Sequence, residues 1–82
     1  PEFHMIKEKI RGQDPAAMMK RLDSGFSGEA IDRTDGIRIN RPDSWALIRP
    51  SGTEPLLRVF VESKRRETAE AFLDEIIKKN TE

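Results

Sequence analysis

The run Arg49-Pro50-Ser51-Gly52-Thr53-Glu54-Pro55 gathers more polar chemistry than any other part of this chain. Arg49 carries a planar fork of N–H donors that matches two oxygens of a phosphate or carboxylate at once. Ser51 and Thr53 add hydroxyl donors. Pro50 and Pro55 stiffen the path and donate no backbone N–H, so the amides of Ser51 to Glu54 between them are free to line an anion-holding concavity. Gly52 lets a ligand approach the backbone closely. Arg58 lies just beyond, where it reaches the same anion or pairs with Glu54. Glu54 itself reads as an ion-pair partner that orients Arg49 or Arg58. Trp45 reads as a sheet-packing residue, with the lining of a sugar site as its alternative. An ordinary rigid loop with a solvated arginine explains the same residues, and residue types alone leave both readings open.

Other chemistry is largely excluded by what the chain lacks. Its 82 residues include no cysteine and a single histidine, His4. Thiol nucleophiles, thiolate zinc sites, disulfide frameworks and most histidine-based triads are therefore absent. None of the loop residues or their neighbours singled out above provides a general base, a metal cluster or an activated nucleophile, so no catalytic residue and no metal ligand is assigned. The 15 basic side chains balance 15 acidic ones, which argues against a dedicated nucleic-acid module. No apolar run approaches the roughly 20 residues needed to cross a bilayer. With 35% hydrophobic and 37% charged residues, the chain suffices for one small core. The cysteine-free composition fits a cytoplasmic protein. Residues 1–4 read as a cloning scar, because Glu-Phe and His-Met are what two common restriction sites encode. That leaves 5–82 as one domain of a longer protein.

Several elements must position the loop. The four-residue spacing of Ile6 and Ile10 suits either one helical turn or one strand face, with a short strand favoured. Asp14-Pro15 starts a helix, Asp capping the free amides and Pro taking the first position; Met18, Met19 and Leu22 form its apolar stripe and Ser24-Gly25 its end. Glu29 to Asp32 suits a short strand, and Asp35-Gly36 a tight turn. Ile37 and Ile39 alternate with Arg38, the period of a half-buried strand. After a turn at Arg41-Pro42-Asp43, Trp45 to Ile48 forms an apolar run suited to a central strand. Leu57, Val59 and Val61 alternate with polar or aromatic neighbours in another. Ala69, Phe72, Leu73, Ile76 and Ile77 follow the spacing of an amphipathic helix. The expected class is α+β: an antiparallel sheet of about four strands with two helices packed on it.

Three segments in order carry a family resemblance: Asp35-Gly36-Ile37-Arg38-Ile39, then Trp45 through Pro55, then Leu57-Arg58-Val59-Phe60-Val61-Glu62. The chain resembles the C-terminal domain of the α-D-phosphohexomutases, the superfamily of phosphoglucomutases, phosphomannomutases and phosphoglucosamine mutases. The resemblance implies a TATA-box-binding-protein-like fold, a name for shape that implies no DNA binding. It implies that the parent enzyme is an isomerase that moves a phosphate between the 1- and 6-oxygens of a hexose. A phosphoserine and Mg²⁺ would be held by other domains of the same chain. Arg49, Ser51, Gly52 and Thr53 would then grip the phosphate that is not reacting, with Glu54 and Arg58 in support. The implied partners are a glucose, mannose or glucosamine phosphate and the other domains, with no nucleic acid and no membrane. The family's phosphoserine, metal loop and sugar-selecting loop have no counterpart here, so the resemblance implies that this chain alone is inactive.

Overall fold

Along the chain run β1 (His4–Arg11), α1 (Pro15–Gly25), β2 (Ala30–Asp32), β3 (Ile37–Arg41), β4 (Ser44–Pro50), β5 (Leu56–Ser63) and α2 (Arg66–Thr81). The computed structural model describes residues 3–81. Of the four residues read as a scar, Pro1 and Glu2 thus lie outside the described residues, while His4 opens β1 opposite Ser63. The strands form one antiparallel sheet in the order β1-β5-β4-β3-β2. The sheet has five strands where the sequence suggested about four. The additional strand is β2 at the edge, within the Glu29 to Asp32 segment that suited a short strand; it is three residues long, and only Ile31 among them is partly buried. So short a segment carries almost no periodicity, and its strand identity comes from the partner rungs it shares with β3.

Helix α1 starts as its sequence dictates. Asp14 Oδ1 accepts the N–H of Ala17 at 3.1 Å, and Pro15 holds the first position. Its end differs from the expected glycine cap. The helix runs through Gly25 and closes on Phe26, whose N–H donates to the Leu22 carbonyl at 3.0 Å. The left-handed residue comes later, at Gly28 with φ +95. Gly25 serves packing instead: a Cβ there would lie 2.9 Å from Lys79 Cδ, so its absence lets α1 and α2 close on each other.

Both helices cover the same face of the sheet. Ile37 and Ile39, Ala46 and Ile48, and Leu57, Val59 and Val61 meet Met18, Leu22 and Phe26 from the α1 side and Ala69, Phe72 and Ile76 from α2. Alternate residues on β3, β4 and β5 therefore point away from the helices. Leu73 is only partly buried and Ile77 is 40% exposed, at the margin of the apolar stripe. The rings of Phe26 and Phe72 pack with centroids 6.3 Å apart. Each fully buried aromatic of this kind contributes about 1.5–3 kcal/mol by leaving water.

Arg41 closes the helix side of the core. Its guanidinium lies 4.0 Å from the Phe72 ring centroid and 6.0 Å from that of Phe26. It donates to both oxygens of Glu29, at 2.8 and 2.9 Å, and to Glu75 at 2.6 Å. One side chain thus joins the end of β3, the turn before β2 and α2. The hydrogen bonds from Arg41 hold the Glu29 carboxyl below its ordinary value, outweighing the opposing effect of burial. A carboxyl lowered by folding stabilises the native state above its ordinary pKa, and that contribution is lost as pH falls through the folded value. Unfolding free energy measured in urea should therefore decline as pH drops below about 4.5. Glu29→Gln should flatten part of that decline; identical pH profiles for the two proteins would remove the pair from the account.

Candidate functional site

The loop between β4 and β5 springs from a paired base. Arg49 stands directly opposite Arg58 and Pro50 opposite Leu57 in the last rungs of the ladder. Above them the Ser51 N–H donates to the Leu56 carbonyl at 2.9 Å, and the Leu56 N–H to the Glu54 carbonyl at 2.8 Å. The Pro55 carbonyl accepts the Gly12 N–H at 3.0 Å, tying the loop to the end of β1. Prolines at 50 and 55 fit this frame because neither has an N–H to place.

The expectation that all four amides from Ser51 to Glu54 are free is corrected here. That of Ser51 closes the base of the loop, and those of Thr53 and Glu54 converge on Ser51 Oγ at 3.3 Å each. The reason is local: backbone donors that can reach a partner take one, and a serine hydroxyl two or three residues back is within reach. Among the described residues the Gly52 amide has no partner. A Cβ at Gly52 would meet nothing within 4 Å, so its backbone stands open to solvent. Accepting two amides commits the lone pairs of Ser51 Oγ and leaves its own O–H to donate outward. Bonds of 3.3 Å are at the weak end of the range, and a charged oxygen is a stronger acceptor than a hydroxyl. Hence the same amides can turn to an anion.

Arg49 is half exposed and its Nε lies 3.4 Å from Asp35 Oδ1. Asp35 escaped the sequence reading, which took 35–36 only as a turn. The clue was strand register: with Ile37 opposite Ile48, the preceding turn must fall beside Arg49. Gly36 has φ +69, and a Cβ on it would collide with the Ile48 carbonyl and lie 2.9 Å from Arg49 Cγ. The bare glycine therefore lets the arginine stem lie across the turn. Glu54, expected to orient Arg49 or Arg58, pairs with neither among the described residues. It is engaged through its backbone, which closes the turn onto Ser51 and Leu56.

Arg58 is exposed and sits between Arg49 on β4 and Lys9 on β1, directly opposite each. Trp45 shares this open face but stands four residues along β4, about 13 Å from Arg49 at strand spacing, so it does not line the loop. Its Nε1–H donates to Glu62 Oε1 at 2.9 Å, and the Arg38 guanidinium lies 4.3 Å from the ring centroid. That arrangement agrees with its reading as a packing residue. Arg41 belongs to the helix side, separated by the sheet from Arg38, Arg49 and Arg58. Among the described residues no group of three His, Cys, Asp or Glu side chains could hold a metal ion, and no helix there is long and apolar enough to cross a membrane.

Residues 6–79 match the family model for the phosphoglucomutase/phosphomannomutase C-terminal domain. A probable phosphoglucosamine mutase of Methanopyrus kandleri is 36% identical over a match covering 94% of this chain and 18% of the relative. A phosphoglucomutase/phosphomannomutase of Thermococcus kodakarensis is 38% identical, covering 90% of this chain and 17% of the relative. For a probable phosphoglucosamine mutase of Pyrococcus abyssi the figures are 42%, 90% and 18%. The chain thus spans less than a fifth of the length of these curated relatives. The crystal structure of a phosphoglucomutase/phosphomannomutase family protein from Burkholderia thailandensis superposes with a TM-score of 0.73, covering 96% of this chain and 17% of that one at 21% identity. At that identity the likeness establishes a shared fold.

The two glycines nearest Arg49 should respond oppositely to a methyl group. Gly36→Ala should lower stability by about 1–3 kcal/mol, because φ is positive and the new Cβ meets backbone. Gly52→Ala should stay within about 0.5 kcal/mol of the parent, having open space around it. Thermal or urea unfolding of the two variants checks this, and equal losses would contradict the loop geometry.

Proposed function

The chain belongs to the phosphoglucomutase/phosphomannomutase family as its C-terminal domain, and on that premise we propose that the 49–55 loop holds the non-reacting phosphate of a sugar monophosphate in a longer mutase. The parent is an isomerase that moves a phosphoryl group between the 1- and 6-oxygens of a hexose. The observation that carries this reading is the direct opposition of Arg49 and Arg58 at the base of the loop. Two like charges on facing rungs destabilise a bare sheet, and a dianion between them reverses the sign of that effect.

Each residue then has a task. Asp35 engages the Nε side of Arg49, which leaves the two terminal nitrogens for a pair of phosphate oxygens. Ser51 donates its O–H, Gly52 its unpartnered amide, and Thr53 its hydroxyl; Arg58 approaches from the neighbouring strand. None of these groups forms or breaks a bond. Binding energy from the idle phosphate instead fixes the other end of the sugar in line for transfer. Since both phosphates occupy this loop in turn, it grips phosphate and ignores the carbon that bears it. Because the loop is open on this domain, the remaining domains must close over the ligand to exclude water.

The Mg²⁺ that assists phosphoryl transfer in this reading belongs to another domain. The archaeal relatives named phosphoglucosamine mutases support glucosamine phosphate as the substrate within the class, ahead of glucose or mannose phosphate. Sugar monophosphates are charged and do not cross bilayers unaided, which supports a cytoplasmic location.

The test is an amide NMR titration of this chain with glucose 1-phosphate and with glucose 6-phosphate. Both should shift Ser51 to Glu54, and Arg49→Ala should abolish those shifts; shifts unchanged in the variant would remove Arg49 from the site. In the longer enzyme Arg49→Ala should lower kcat/KM by about 10–1,000-fold, as expected for lost charge-assisted hydrogen bonds. The purified chain by itself should show no mutase turnover, and measurable turnover would overturn the assignment of chemistry to other domains.

A further inference from the structure

We infer that the open face of the sheet carries a second anion-binding position, formed by Lys7, Lys9 and Arg58 beside Phe60, that takes a phosphate monoester. A depression of about 340 Å³ lies on β1 and β5, lined by Lys7, Glu8, Lys9, Arg58 and Phe60. Lys9 faces Arg58 across the ladder and Lys7 faces Phe60. Directly opposed side chains on antiparallel strands start about 5 Å apart, and those two residues along a strand start about 7 Å apart. Three cations therefore mark three corners of a small quadrilateral, and an aromatic ring marks the fourth.

No carboxylate among the described residues lies within ion-pair distance of Lys7, Lys9 or Arg58. The lining acid, Glu8, directs Oε1 at the backbone N–H of Lys9, 3.4 Å away. Lysines on an edge strand also guard against unwanted pairing, and β1 is an edge. That role explains Lys7 and Lys9 but not Arg58, which lies on β5 with strands on both sides and stands between this position and the loop. The sheet tolerates like charges on facing rungs there without a protein counter-charge, whereas at the loop Arg49 has Asp35.

The donor set fixes the ligand's chemistry. Arg58 offers a bidentate fork, the two lysines offer mobile point charges, and partly buried Phe60 offers an apolar wall to the carbon skeleton of an ester. This position uses β1, which the loop does not, and it stands whether or not the loop holds a phosphate.

The experiment is an amide NMR titration of the 82-residue chain with glucose 6-phosphate, at ionic strength held constant with sodium chloride. Saturable shifts are expected at Lys7 to Lys9 and at Arg58 to Phe60, as a set distinct from Ser51 to Glu54. Lys7→Gln combined with Lys9→Gln should raise the dissociation constant of the first set about tenfold, equivalent to the loss of one good ionic contact, and leave the loop set unchanged. Arg49→Ala should do the reverse. Shifts that fail to saturate, that chloride alone reproduces, or that vanish together in either variant would overturn the second position. Absence of the loop set alone from the unsubstituted chain would count against the proposed function and leave this inference standing. If the double variant loses its dispersed spectrum, Lys9→Gln alone carries the comparison.

Discussion

Helices on one face of a sheet impose a sorting rule on every strand. Residues of one parity enter the core, and those of the other parity are left on a surface that nothing in this domain covers. Because all the pairing is antiparallel, the same alternation is shared from β1 to β2. Ile39, Ala46, Val61 and their neighbours fill the core side, with Arg41 closing its margin. The other side receives Arg38, Arg49, Arg58, Lys7 and Lys9, so a chain with no net charge still presents a basic face.

Much of the architecture was legible in the sequence because it rests on period and punctuation. The alternation of Leu57, Val59 and Val61, the Asp14-Pro15 start and the stripe from Ala69 to Ile76 each depend on nearest neighbours. What escaped depends on partners distant in sequence. Gly25 is a glycine because Lys79 packs against it, which a local reading mistook for a helix cap. Arg41 read as a turn residue, yet it reaches Glu75 on a helix that the sequence places far away.

The candidate loop shows the same division. Its residue types were evident, and with them the expectation of an anion site. Its internal wiring was not. The sequence suggested Glu54 as the partner of Arg49, since it is near in the chain. Register supplies Asp35 instead, from the far side of β4. Likewise the amides that looked free are drawn to Ser51 Oγ, because a loop this short brings a hydroxyl under its own backbone. A site built from a turn and a strand end is thus only half written in its own segment.

The bond from Gly12 to the Pro55 carbonyl has a mechanical meaning. β1 spans eight residues, about 24 Å of nearly straight backbone, and every one of them is paired to β5. At its far end that bond fastens the strand to the loop, so the two behave as a rigid crank. A torque applied at the His4 end of β1 would swing the loop bodily through an arc without bending it. The gripping geometry would then travel intact, and any motion of the domain would need no hinge inside the loop.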